Sequence, residues 1–193
     1  AHGNSEFVTE EWRSKVHLAA TEISRESAKE GTNVHKAIEQ SFCDEDYDEF
    51  YRPHVTAVHA LVNQHCKDAL ELFPWLPEQG VSHPRGYGTK SDLHSGGWVL
   101  DLKTKEGDQE AMEKARTYDY HWMQLAATRA ALEHSLEIPS HSQKCGIVFV
   151  SRDHPGACAF KEVGEEELSK GWTMFTGLLS VWQAKNNHTP TWG

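Results

Sequence analysis

The stretch Trp98-Val99-Leu100-Asp101-Leu102-Lys103-Thr104 reads as a β-strand with chemistry on one face. Side chains alternate along a strand with period two, so Leu100 and Leu102 point to one side while Val99, Asp101 and Lys103 share the other. It is the only place in the chain where an acid stands two residues before a lysine. The pattern alone also suits a plain hairpin with a surface ion pair, so its surroundings decide. Immediately upstream, Gly86-Tyr87-Gly88-Thr89-Lys90-Ser91-Asp92-Leu93 reads as a second strand ending in another aspartate. A tight hairpin over 94–97 would bring Asp92 beside Asp101. Lys90 shares the period-two face of Asp92, as a phosphate contact or as a solvated lysine.

Outward from this hairpin, the pattern predicts strands over 85–94, 97–104, 144–151 and 156–163. The last two are separated by the turn-like Arg152-Asp153-His154-Pro155. Between the pairs, Met112, Ala115, Tyr118, Trp122, Leu125, Ala126 and Leu132 form a helical series over 108–135. Glu165 to Lys185 reads as a closing helix. The first third is helical: Trp12, Val16, Ala19, Ala20 and Ile23 recur at helical spacing, and Val34, Ala37, Ile38 and Phe42 do so after Gly31. The acidic run Asp44 to Glu49 reads as a solvated loop or helix start. A further helix runs from about Pro53 to Leu72, closed by Pro74 and Pro77. Helices, strands, a long helix, then strands and a helix predict an α/β protein with a central mixed sheet flanked by helices.

Length and charge narrow the classes. The 193 residues, 38% hydrophobic with seven Trp, suffice for one ordinary domain with a real core. We expect a single domain over 6–193, with a helical part over 6–73 and a sheet-and-helix core over 78–193. Ala1 to Ser5 read as a leftover of cloning. No apolar run approaches the roughly 20 residues of a membrane span, and nothing at the start reads as a signal peptide. That predicts a cytoplasmic protein. Cys43, Cys66, Cys145 and Cys158 contain no C-x-x-C pair, which argues against a zinc ribbon or an iron-sulfur cluster and for reduced buried thiols. Nineteen Lys plus Arg against 29 Asp plus Glu give a net charge of −10, unlike a protein that coats nucleic acid through a broad basic face. An enzyme that grips phosphate through a metal held by carboxylates stays open.

Two helical residues add to the hairpin. His35 follows Gly31-Thr32-Asn33-Val34, on a helix whose inward face runs through Val34 and Ile38; it reads as a hydrogen-bonded interior histidine or as a ligand. Gln124 lies on one helical stripe with His121 and Thr128.

Taken in order, Gly-Thr-x-Val-His, Glu78, Gly-Thr-x-x-Asp, Val-Leu-Asp-Leu-Lys-Thr and Gln-Leu-Ala-Ala resemble the PD-(D/E)XK nuclease superfamily. The branch most resembled is the RecB-like exonucleases, which include phage enzymes and the mitochondrial genome maintenance exonuclease. The likeness covers about residues 12–135. It implies a restriction-endonuclease-like core and a metal site formed by His35, Asp92, Asp101 and the backbone carbonyl of Leu102. It further implies Lys103 as the catalytic lysine, Gln124 as the family glutamine, and Glu78 as an additional acid on the first strand. Magnesium or manganese would be the cofactor, with no iron-sulfur cluster. DNA, at linear ends or as single strands, would be the substrate. Recombination or replication proteins would be partners, and the compartment would be the host cytoplasm if the chain is phage-encoded. A same-superfamily endonuclease would use the same residues, and a noncatalytic DNA-end binding protein is the alternative of another class. Three positions depart from the family pattern. Ser91 stands where Pro is usual, Gly88 lies four residues before Asp92 where three is commoner, and Thr128 replaces a Tyr.

Overall fold

The computed structural model describes residues 10–67, 74–137 and 143–190. In chain order these form α1 (Glu10–Phe42), a 3-10 turn (Glu49–Tyr51), α2 (Arg52–His65), β1 (Leu76–His83), β2 (Tyr87–His94) and β3 (Trp98–Lys105). There follow α3 (Gln109–Glu113), α4 (Asp119–Ser135), β4 (Lys144–Ser151), β5 (Cys158–Val163) and α5 (Glu165–Lys185). Among the described residues the strands make one mixed sheet in the order β1-β2-β3-β4-β5. All neighbours are antiparallel except β3 and β4. A parallel step needs a crossover, and α3 and α4 supply it. The chain is therefore an α/β protein with a mixed sheet flanked by helices.

The alternation read from β3 sorts its side chains between two cores. Leu100 and Leu102, with Leu93, Val148 and Val150, pack against Val34 and Ile38 of α1 and Val58 and Val62 of α2. Val99, Ile147 and Phe149 pack on the opposite face against Leu125 and Leu132 of α4 and Leu168 of α5. β4 is covered on both faces, which is why Ile147-Val148-Phe149-Val150 is apolar without alternation.

Two glycines permit close approaches. A Cβ on Gly31 would lie 2.6 Å from Thr104 Oγ1, so α1 runs against β3 where Gly31-Thr32 begins the motif leading to His35. A Cβ on Gly171 would lie 2.5 Å from the carbonyl carbon and oxygen of Trp122, so α5 can press against α4 only where a side chain is missing.

Several elements differ from expectation. Gly31 does not divide the first third: α1 is one helix through it, and the backbone around Trp12 to Ile23 belongs to the same helix. α2 carries Pro53 in its first turn as predicted. It ends at His65, with Cys66 as its cap, short of the expected Leu72; Leu72 itself, like Ala1 to Ser5, lies outside the described residues. Pro77 sits in β1, an edge strand where a missing N–H is tolerated. β1 was implied only by the resemblance, through Glu78, and not by the strand pattern, since Pro77 and Gly80 stand within it; Glu78 itself is left-handed (φ 53°).

The helix expected over 108–135 is two. Asp108 accepts from the Ala111 N–H to start α3, and Tyr118 is extended (φ −134°, ψ 163°) with its N–H bonded to His121 Nδ1, which starts α4 afresh. The final helix spans the predicted residues. Of the four free cysteines, Cys43 is exposed, and the other three are buried. Among the described residues no helix is long and apolar enough to cross a membrane.

Candidate active site

β2 and β3 form a fork. Their hydrogen-bonded register contains Leu93 opposite Leu100 and His94 opposite Val99, next to the turn, and goes no further. Continuing that register places Asp92 opposite Asp101 at the first position past the last bond. Beyond the fork point, side chains take over what a ladder would have bonded. The Leu102 N–H donates to Asp92 Oδ2 at 2.7 Å, and the His35 ring from α1 reaches the Leu102 carbonyl. The β1–β2 register is interrupted at the same level: Pro77 pairs with Leu93 and Gln79 with Ser91, while Glu78, opposite Asp92, drops out with its left-handed backbone. Three acids from three adjacent strands thus stand in a row where the sheet opens.

Asp101 is 3% exposed, and burial together with the Asp92 carboxylate pushes its pKa up to about 7, against the pull of Lys103. The Lys103 ammonium lies 3.0 Å from Asp101 Oδ1 and 2.9 Å from Oδ2, but only the first contact has hydrogen-bond geometry. Gln124 closes a triangle, its Oε1 accepting from Lys103 at 3.0 Å while its Nε2 donates to Asp101 Oδ1 at 2.7 Å. Asp101 Oδ2 is left buried without a hydrogen-bond donor, beside a second carboxylate that has none to give. Lys103 lies in ion-pair range of Oδ2 but outside hydrogen-bond geometry, so two adjacent carboxylates share its single charge, an imbalance that a further cation or a proton would relieve.

These donors fit a hard divalent cation: two carboxylates and the Leu102 carbonyl are the oxygen ligands magnesium and manganese prefer. Among the described residues no three His, Cys, Asp or Glu side chains converge as a ready-made metal cluster. Burial pushes the His35 pKa down, partly offset by Asp92, so at neutral pH the ring is uncharged and bonded to the very carbonyl the resemblance assigns to metal.

A cleft of about 730 Å³ lies beside this fork, between α1 and the sheet, and neither Asp92, Asp101 nor Gln124 lines it. Among its lining residues are His35, Glu78, Lys90, Leu102 and Lys103. Lys90 and Glu78 form an ion pair on its wall, so Lys90 is a paired lysine rather than a freely solvated one. Sequence reasoning missed Lys36 and Arg152, which also line it. Arg152 had read only as a turn residue. Its guanidinium donates to the Ser27 carbonyl of α1 and to Glu106, each at 2.9 Å, which ties the middle of α1 to the strand ends. No spacing rule could connect residues so distant in the chain.

Of the three departures from the family pattern, two have structural counterparts. Thr128 is buried, and its hydroxyl pairs with that of Thr89 at 3.0 Å, fastening α4 to β2 away from the cleft. Gly88 serves no turn: it lies within β2, and a Cβ there would make only an ordinary contact with Val81 O at 3.6 Å. The turn glycine is Gly86, with φ 83°. Ser91 is a buried ladder residue opposite Gln79.

No protein-family model matches the chain, and no curated protein matches it by sequence. Among solved structures, a candidate exonuclease from Eubacterium rectale superposes with a TM-score of 0.51 and 10% identity, over 83% of this chain and 69% of that one. The chain shares that protein's fold. A second solved structure, SSO0001, gives a TM-score of 0.37 at 14% identity, over 89% of this chain and 68% of that one, and carries no argument.

Proposed function

We propose that this chain is a divalent-metal-dependent nuclease of the RecB-like PD-(D/E)XK type that hydrolyses phosphodiester bonds at DNA ends, in recombination, repair or replication. The observation that carries the reading is the buried, donorless Oδ2 of Asp101 beside Asp92, with Lys103 and Gln124 fixed against the same carboxylate. A surface ion pair would need neither the burial nor the second acid.

Asp92, Asp101 and the Leu102 carbonyl would hold magnesium or manganese, with His35 at its side. Bound there, the cation would polarise the scissile phosphate and make water more acidic. Lys103 cannot be a ligand, since its ammonium has no lone pair to offer. Its charge is placed to offset the negative charge that grows on the attacked phosphate. Gln124 holds Lys103 and Asp101 in one geometry through its two amide ends, so it is a positioning residue. Lys36, Lys90 and Arg152 line the cleft wall, where Glu78 pairs with Lys90 and Glu106 with Arg152.

The test compares linear duplex, single-stranded and closed circular DNA, each with magnesium, manganese, calcium or excess chelator. An exonuclease degrades the linear forms with magnesium or manganese and spares the circle. Cutting of the circle assigns an endonuclease instead. DNA-end binding without cleavage under every metal assigns an accessory role.

A further inference from the structure

Beside the triangle of Asp101, Lys103 and Gln124, α4 begins with two exposed aromatic rings. Tyr118 and Tyr120 are 47% and 57% exposed, and their rings lie nearly parallel, 8° apart with centroids 5.8 Å from each other. Exposed tyrosines are unremarkable singly; these two are held in place from below. His121 is buried, accepts the Tyr118 N–H on Nδ1 at 3.2 Å, and sets its ring edge-on to Tyr120 at 4.1 Å. Beneath it lies Phe149, 6.2 Å away, whose ring also carries the Lys105 ammonium at 5.3 Å. The Trp122 indole donates to Thr117 Oγ1 at 3.0 Å, fastening the segment that leads into the rings. Burial and the nearby Lys103 and Lys105 push the His121 pKa down to about 4, so this support keeps one protonation state at neutral pH.

Position gives the rings a partner. Tyr120 precedes Gln124 by four residues, which puts it one helical turn away on the same side of α4, and Gln124 is bonded to Lys103. A strand whose phosphate reached Lys103 would carry its neighbouring base past these rings. Lys105 adds a cation on one side, while the exposed Asp119 between the tyrosines disfavours a phosphate there but not the face of a base. Paired bases in a duplex are already stacked, whereas an unpaired base has a free π-face to offer.

We propose that Tyr118 and Tyr120 form a stacking platform for an unpaired base of a DNA strand entering the site at Lys103, which makes the enzyme selective for single-stranded or frayed ends. The inference rests on the nuclease reading and adds the form of its substrate.

The test measures anisotropy of a labelled short single strand, the same strand with abasic sites, and a blunt duplex, all in calcium, together with magnesium-dependent cleavage by the same proteins. The variants are Tyr120→Phe and the double variant Tyr118→Ala/Tyr120→Ala, with melting temperatures confirming the fold. Losing stacked bases should weaken single-strand binding by the double variant roughly 10–100-fold. Tyr120→Phe should bind like wild type, and the abasic strand should bind wild type and double variant alike. Blunt-duplex binding should change little. A folded double variant that binds the single strand as wild type does overturns the platform, as does an equal loss on duplex and single strand. Either result alongside magnesium-dependent cleavage by wild type leaves the nuclease reading standing. Tyrosine-dependent binding without hydrolysis under any divalent metal overturns the nuclease reading and supports the platform.

Discussion

Asp92 and Asp101 oppose each other across β2 and β3 at the first position past the last ladder bond, one carboxylate bonded to the Leu102 N–H and the other buried against Lys103 and Gln124. Without a cation between them the pair is a liability, since two like charges share a poorly solvated place. The fold tolerates this because Lys103 offsets one charge and a backbone N–H the other.

Asp101→Asn should therefore stabilise the protein in chelator while abolishing metal-dependent function. An amide removes the like charge and can donate to Asp92, and we expect a gain of roughly 1–3 kcal/mol at pH 8. Thermal melts in chelator check this. A variant that melts below wild type would mean that the Lys103 pair outweighs the Asp92 repulsion.

Gln124→Ala should lower turnover without a large change in fold, because Gln124 positions Lys103 and Asp101 and is only half-buried. A rate loss of roughly 10–100-fold is expected, smaller than for Lys103→Ala, where the stabilising charge itself is lost at a cost of about 10²–10³-fold. Single-turnover cleavage of both variants decides the order. Equal or reversed losses would make Gln124 more than a support.

Gly171→Ala tests how far the site depends on the α4–α5 contact. The added Cβ would collide with the Trp122 backbone, two residues before Gln124. Overpacking against backbone should cost about 1–3 kcal/mol. A melting temperature equal to that of wild type would show that α5 can shift freely.

Much of this arrangement was legible in the sequence, and the reason lies in how local each signal is. Alternation along Trp98–Lys105 assigned Leu100 and Leu102 to one core and Val99 to the other, and the closing helix stands over Glu165–Lys185 as read. The proximity of Asp92 to Asp101 followed from a short turn between two strands. β1 was not visible as a period of two and came only from the resemblance through Glu78, the residue that leaves the regular β conformation at the fork and belongs to the site's own row of acids. The break at Tyr118 was hidden because its signal is a hydrogen bond to His121 rather than a glycine or proline. Arg152 on α1 and Thr89 on Thr128 are contacts between distant segments, which no period along the chain encodes.

Acid should weaken the joint between the β4–β5 turn and the end of β3. The Gly107 N–H at 2.8 Å, and then Ser151 Oγ at 2.9 Å, hold the Asp153 pKa down to about 2, below the ordinary value near 4. A depressed acid contributes stability above its unfolded value and loses it as pH falls toward its folded one. Asp153 is half exposed, so the contribution should be under about 1 kcal/mol. Asp153→Asn should melt below wild type at pH 6, with the gap narrowing by pH 3. A gap that stays constant over that range would contradict the charge-based account.

Hydrolysis of end-labelled linear DNA by wild type and Asp101→Asn, with magnesium and with excess chelator, bears most directly on the paired carboxylates as a metal site. Wild type should cleave with magnesium and stop in chelator, and Asp101→Asn should not cleave under either condition although it is folded. Cleavage by wild type in excess chelator, or undiminished cleavage by Asp101→Asn, would contradict it.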